Sequence, residues 1–222
     1  MLLKTLEKMA AGGLWDQVGG GFYRYSVDDR WCIPHFEKML YDNAQLLPLY
    51  TDAYALFDRE EFRTIALETA NWAITEMQSS SGGYFSTLDA DSEGEEGTYY
   101  VWKENELNDL LDVDERQFAN VIFGLDGTPN FDGRWHLTRV ETIESAAEAL
   151  NLSSATAMRL FNQIRSKLRL QRQTRIRPNR DEKILTSWNG LMVAAMARAG
   201  RRLNEPELGS SATRAIDFID SH

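Results

Sequence analysis

Apolar residues in the first third of the chain recur with the spacing of amphipathic helices. From residue 35 to 57 they fall on one side of a helical wheel, and a polar side lies opposite. The apolar side is Phe36, Met39, Leu40, Leu47, Tyr50, Tyr54 and Phe57, and the polar side is His35, Lys38, Asp42 and Gln45. The pattern predicts a helix over 35–57 that begins after Pro34 and is kinked or split at Pro48.

The remaining elements are also mostly helical. Similar patterns predict helices over 2–10, 61–77, 104–111, 114–123, 143–150 and 154–170. Short runs rich in aromatic and β-branched residues predict strands at 84–88, 98–102 and 134–140. The chain is therefore expected to be mainly α, with short β-hairpin insertions.

The two-helix layout of residues 39–57 and 61–77 recurs at 184–200 and 207–219. Leu46 matches Leu191 in this repeat, and Trp72 matches Phe218. Repeated helical hairpins bury their apolar faces by stacking on one another, as they do in solenoids and helical toroids.

Composition narrows the classes of function. Hydrophobic residues make up 43% of the chain and aromatic residues 11%, values typical of globular proteins. The net charge of −10 disfavours a nucleic-acid partner, because phosphate binding needs a basic surface. A single cysteine, Cys32, excludes an internal disulfide and fits a reducing compartment. No signal peptide or membrane span is evident, so we expect no membrane partner and a cytoplasmic location.

Polar residues suited to chemistry cluster in four places, each at a predicted hairpin end. The clusters are the glycine-rich loop with Asp16, Gln17 and Arg24; the helix start with His35, Lys38 and Asp42; the acidic loop 89–97; and the basic stretch 177–183 that leads to Trp188 and Asn189. Because each cluster lies at a hairpin end, we expect the four clusters to converge on one face of the helical fold. His35 suits proton transfer near neutral pH, although it could equally brace the helix start.

The acidic loop resembles part of a calcium-binding loop. Asp89, Asp91, Glu93 and Gly94 match its early positions, but Tyr100 stands where the bidentate glutamate belongs. An EF-hand is therefore not expected. Three interpretations of this loop remain open: a loose cation site, a pair of carboxylates for acid–base catalysis, and a solvated turn. The histidines and the cysteine lack the spacing of zinc ligands. Cys32 is expected to be a small buried thiol rather than a nucleophile activated by His35. We therefore predict no metal or cofactor.

Four long motifs, at residues 12–28, 34–43, 88–97 and 183–191, closely resemble the YyaL/spermatogenesis-associated protein 20 family. That resemblance implies an (α/α)6 barrel similar to N-acylglucosamine 2-epimerase, which in the family follows a thioredoxin-like domain. We expect no thioredoxin-like domain within residues 1–222. We expect one partial barrel domain over 1–222, an incomplete six-hairpin toroid whose open ends favour self-association.

The resemblance implies a sugar as the small-molecule partner and an epimerase or isomerase that moves protons by acid–base chemistry. His35 would act with Asp16, Asp89 or Asp91, and a glycosidase-like alternative adds Asp181. Expected substrate-binding residues are Trp15, Gln17, Arg24, Trp31, Lys38, Asp42, Tyr100, Trp188 and Asn189. The alternatives are a non-enzymatic binding or scaffold module and an inactive fragment.

Overall fold

Helices dominate the computed structural model, which describes residues 1–222. The helices are α1 (Leu2–Ala11), α2 (Leu40–Phe57), α3 (Glu60–Trp72), α4 (Glu104–Leu110), α5 (Val113–Phe123), α6 (Ile143–Ala149), α7 (Ser154–Gln173), α8 (Thr186–Leu203) and α9 (Pro206–Asp220), and a π-helical turn (Ala73–Met77) extends α3. The strands have two residues each: β1 (Tyr25–Ser26), β2 (Pro34–His35), β3 (Lys38–Met39), β4 (Thr87–Leu88), β5 (Asp91–Ser92), β6 (Glu95–Glu96) and β7 (Arg180–Asp181). The predicted mainly α fold with short β insertions is confirmed.

Two helical hairpins, α2–α3 and α8–α9, stack through the packing of α2 against α8. Their shared core is made of apolar residues from all four helices and from α1, including Leu6, Leu47, Tyr50, Phe62, Met192, Met196 and Leu208. The first helix of each hairpin ends at a left-handed residue, Asp58 in one and Asn204 in the other. The predicted repeat is therefore present. When the hairpins are aligned on Asp58 and Asn204, Leu46 corresponds to Met192. The predicted match of Leu46 with Leu191 is therefore wrong by one residue.

An asparagine near the start of each first helix holds the backbone of an aromatic residue. The Asn43 side chain accepts a hydrogen bond from the Phe22 N–H (2.7 Å) and donates one to the Phe22 carbonyl (3.0 Å). Asn189 makes the same two bonds with Tyr84, at 2.7 and 2.9 Å. Each aromatic residue follows a pair of glycines, of which Gly20 (φ +74°) and Gly82 (φ +113°) adopt a conformation that favours glycine. The repeat unit thus includes a loop as well as two helices.

Helices α4 to α7 form a second hydrophobic core, separate from the stacked hairpins. Its buried residues include Trp102, Phe118, Ile122, Trp135, Phe161 and Ile164. Val18 from the glycine-rich loop also belongs to this core. The loop therefore lies between the two cores and contacts both.

The chain before α2 is extended, so the predicted helix start at residue 35 is wrong. Pro34–His35 pairs with β1, and Lys38–Met39 is the edge strand of a three-stranded sheet in the order β3-β4-β7. The backbone of this segment bonds to strands distant in sequence, which a helix would not allow. Pro48 lies within α2, which continues from Leu40 to Phe57 without a break.

The other predicted strands are shorter than expected or missing. Only Thr87–Leu88 of the predicted strand 84–88 is paired along a ladder. Residues 97–100 form a turn, because the N–H groups of Tyr100 and Val101 both donate to the Gly97 carbonyl. Trp102 and Trp135 form an isolated bridge, and no ladder extends over 134–140.

Candidate functional site

Residues 34–39 are an extended segment that contributes a strand to each of two short sheets and points alternate side chains to opposite sides. Pro34, Phe36 and Lys38 are buried, whereas His35 and Glu37 are partly exposed. Side chains of an extended segment point alternately to its two faces. One face therefore carries His35 and Glu37, and is called the His35 face below. The other face carries Lys38.

His35 is held by a carboxylate from the acidic hairpin. Its Nδ1 lies 2.6 Å from Glu96 Oε1, and its ring stacks on Tyr25 with centroids 5.1 Å apart. An ionised carboxylate only accepts hydrogen bonds, so Nδ1 carries the hydrogen in the neutral ring and Nε2 is left as the acceptor. Nε2 lies 3.7 Å from Glu37 Oε2, at the partly exposed edge of the ring.

Asp42 lies near the same charges and has an unusual protonation equilibrium. Burial raises the pKa of its carboxyl to about 6, the nearby Arg24 guanidinium opposes this shift, and Glu37 adds to it. Arg24 itself donates to Glu37 Oε2 at 2.8 Å. The Asp42 Oδ2 atom is buried and has no hydrogen-bond partner. A carboxyl of this kind can act as an acid or as a base near neutral pH.

Two aromatic side chains stand beside this cluster. The rings of Tyr41 and Trp188 meet edge to face, with centroids 4.8 Å apart. Tyr41 comes from the start of α2 and Trp188 from the start of α8, so the contact joins the two hairpins. Both side chains are partly exposed and offer apolar ring surface next to charged groups.

On the opposite face, Asp16 is the centre of a buried ion cluster. Its Oδ2 accepts from Lys38 at 2.8 Å and its Oδ1 accepts from Arg172 at 2.9 Å, and all three side chains are less than a tenth exposed. Burial acts to raise the pKa of Asp16, but the charges of Arg172 and Lys38 outweigh it and hold the pKa well below its usual range. Burial lowers the pKa of Lys38 to about 8.

This geometry separates residues that the sequence places together. Asp16 and Lys38 lie on one face of the sheet and His35 on the other, so the expected convergence of Asp16 with His35 on one pocket is wrong. A carboxylate that stays charged between two cations does not exchange protons near neutral pH. The structure favours Asp16 and Lys38 as structural partners of Arg172.

Asp181 and Asp89 are on the same side of the sheet as His35. Asp181 lies opposite Thr87, which lies opposite Met39, and cross-strand partners share a face. Asp89 is exposed, two residues beyond Thr87, and Asp181 pairs with Lys183 at 2.9 Å. Asp91 is exposed in the β5–β6 hairpin.

The remaining predicted binding residues serve the fold. Trp15 and Tyr100 are buried, and the Gln17 amide donates to the Ala10 carbonyl at the end of α1 (2.9 Å). Trp31 lies in a loop at a positive φ of 59°, and its carbonyl accepts from Gly13 at 2.6 Å. The side-chain amide of Asn189 is hydrogen-bonded to the Tyr84 backbone.

Several important residues were missed by sequence reasoning. Glu96 orients His35, Arg172 completes the buried ion cluster, and His136 is buried against the Gly13 carbonyl at 3.0 Å. Burial lowers the pKa of His136 to about 4. The partners lie far apart in the chain, and only the density of carboxylates in 89–97 pointed towards Glu96. No group of three or more His, Cys, Asp or Glu side chains is arranged to hold a metal ion.

Comparison with known proteins finds relatives that align with the whole chain. No family model matches it. Human spermatogenesis-associated protein 20 is 35% identical over 247 residues, which cover 100% of this chain and 31% of that protein. The chain is similar over its whole length to part of this protein. The mouse protein of the same name is also 35% identical, and an uncharacterised protein of Caenorhabditis elegans, B0495.5, is 31% identical over 99% of this chain and 33% of its own length.

The chain thus spans about a third of the length of these relatives. Among solved structures, a D-mannose isomerase aligns over 98% of this chain and 50% of its own, with 15% identity and a TM-score of 0.36. A sugar epimerase from a ruminal bacterium aligns over 99% of this chain and 86% of its own, with 11% identity and a TM-score of 0.27. At scores this low, neither likeness supports an argument about function. None of the helices is long and apolar enough to cross a membrane.

Proposed function

We propose that the His35 face is the acid–base part of a sugar site of the epimerase or isomerase type. The observation that carries the proposal is an oriented histidine and a carboxyl of raised pKa that both lie near Glu37. His35 is oriented by Glu96 at 2.6 Å, and Asp42 has a pKa of about 6. Enzymes that move protons at neutral pH need groups of both kinds.

In this proposal His35 Nε2 removes a proton from the carbon next to the sugar carbonyl. The electron pair of the broken C–H bond moves to the carbonyl oxygen, and the Arg24 guanidinium stabilises the negative charge that forms there. Asp42, protonated in part near its pKa, returns a proton to carbon. Solvent then carries the proton from His35 back to Asp42, which restores the starting state.

The aromatic pair would hold the sugar ring. The C–H groups on one face of a sugar are apolar, and they pack on aromatic rings such as those of Trp188 and Tyr41. The exposed Asp89 carboxylate and the partly exposed Asp181 carboxylate offer acceptors for sugar hydroxyl groups on the same side of the sheet. Sugar recognition and proton transfer would then occur on one face.

Proton transfer to and from carbon can be tested without knowing the product. The chain is incubated in D2O with glucose, mannose, fructose, N-acetylglucosamine and N-acetylmannosamine, and NMR follows deuterium incorporation next to the carbonyl. We expect exchange with at least one sugar above the rate without protein. His35→Gln and Asp42→Asn should each slow it by at least about a hundredfold, the usual contribution of an acid or base.

The matched control is Asp217→Asn, a change of the same chemistry at an exposed position on α9. It should exchange deuterium like the unmodified chain. If a folded chain catalyses no exchange with any sugar, acid–base catalysis of this type is excluded. Sugar binding by thermal shift in that case would favour the non-enzymatic binding module.

A further inference from the structure

A cavity of about 640 Å³ opens between α3 and α7, on the face of the sheet that carries Lys38. Its floor includes Asp16 and Lys38, and Arg172 from α7 reaches in beside them. A volume of this size is within the range of small-molecule sites. It is larger than a bare inorganic ion needs. The cavity is separate from the His35 face, which lies on the other side of the sheet.

The cavity is positively charged although the whole chain is strongly acidic. Five cationic and three anionic side chains line it, whereas the net charge of the chain is −10. Two of the three acids are already neutralised: Glu68 pairs with Arg165 at 2.6 Å and Glu76 pairs with Arg177 at 2.8 Å. The third, Asp16, faces two cations. Positive charge in the cavity is therefore in excess.

Two arginines on α7 have hydrogen-bond donors to spare. Arg172 makes one side-chain hydrogen bond, from Nη1 to Asp16, so its Nε and Nη2 donors are not used by the protein. Arg169 donates only to the Val18 carbonyl, through Nε at 3.2 Å and Nη2 at 2.9 Å, and it has no carboxylate partner. Guanidinium groups with free N–H donors bind carboxylate and phosphate oxygens strongly.

We propose that this cavity binds a small polar molecule that carries an oxyanion, a phosphate or a carboxylate. The oxyanion would lie between Arg169 and Arg172. The neutral polar side chains of Asn71, Thr75 and Gln173 line another part of the cavity and suit a hydroxylated body. This assignment does not depend on the proposed chemistry at His35.

Binding is tested by isothermal titration of the chain with four probes: glucose 6-phosphate, glucuronate, inorganic phosphate and glucose. We expect one-to-one binding of at least one of the two sugar anions, weaker binding of inorganic phosphate, and none of glucose. The stronger of the two sugar anions identifies the oxyanion as phosphate or carboxylate. Affinity should fall as salt is raised, because the contacts are charged.

Arg169→Gln should weaken the binding of the preferred anion about tenfold, the usual loss for one charge-assisted hydrogen bond. Arg159→Gln is the matched control, an exposed arginine on the same helix about 15 Å away along its axis. It should bind like the unmodified chain. Equal weakening by both variants would indicate a diffuse charge effect and overturn the proposal. So would equal binding of glucose, or no anion binding at millimolar concentrations by a folded chain.

Discussion

Lys38 and Asp16 form an ion pair of 2.8 Å in which the side chains are only 1% and 3% exposed. The Lys38 ammonium also lies over the rings of Tyr23 and Tyr100, at 4.8 and 5.3 Å from their centroids. Because Arg172 shares the same carboxylate, one negative charge serves two buried cations. The stability of the region therefore depends strongly on Asp16.

Replacing Asp16 by asparagine should lower the free energy of unfolding by about 3–5 kcal/mol, because two buried cations lose their counter-ion. Urea unfolding of the two proteins measures the difference. Asp52→Asn is the control, since Asp52 pairs with Arg198 where both side chains are more than a third exposed. It should cost less than about 1 kcal/mol. Similar small losses for both variants would contradict a structural role for Asp16.

His136 should make the protein less stable in mild acid. Burial lowers the pKa of His136 to about 4 in the folded chain, against about 6.5 in the unfolded chain. Between these values the unfolded state binds more protons, so stability falls as pH decreases from 6.5 to 4. The contribution of His136 between pH 7 and pH 5 is about 2 kcal/mol.

The His136→Gln variant removes the titrating group and keeps a donor for the Gly13 carbonyl. Urea unfolding at pH 7 and pH 5 should show a loss in the unmodified chain that is about 2 kcal/mol larger than in the variant. An identical loss in both proteins would mean that His136 titrates normally in the folded state.

The two backbone-holding asparagines should contribute similarly to stability. Asn43→Ala or Asn189→Ala leaves the N–H and carbonyl of a buried aromatic residue without partners, and each should cost about 3 kcal/mol in urea unfolding. Asn71→Ala, an exposed position on α3, should change stability by less than about 0.5 kcal/mol. A large loss for only one of the two would show that the repeat units are not equivalent in energy.

The Asp42 carboxyl should titrate near pH 6 in a carbon-13 NMR experiment. Glu37→Gln should lower the pKa of Asp42, because a neighbouring negative charge is removed. Arg24→Gln should raise it, because a neighbouring positive charge is removed. Shifts of the same sign in both variants would show that Asp42 responds to a change of conformation rather than to these charges.

Local patterns predicted the helical hairpins because a helix buries one face of its own sequence. The helical spacing of Leu47, Tyr50 and Phe62 is sufficient to predict that these residues are buried. Four sequence motifs then indicated that the chain resembles a known family with such hairpins. Both inferences use information that lies within short stretches of the chain.

The extended segment before α2 could not be predicted in this way. His35 and Lys38 have helical spacing relative to the residues that follow, but Lys38–Met39 pairs with Leu88 and Thr87, far along the chain. Glu96 reaches His35 from a separation of 61 residues, and Arg172 reaches Asp16 from a separation of 156 residues. Such contacts depend on how distant segments meet, which periodicity does not report.

The β4–β7 ladder has a consequence for the helices inserted between these strands. Leu88 lies opposite Arg180, so the chain from 89 to 179 departs and returns at neighbouring positions of one ladder. A segment with adjacent ends can be lengthened, shortened or exchanged during evolution without separating α2 from α8. Arg172 limits that freedom, since a replacement segment without it would remove one of the two cations that bind the Asp16 carboxylate.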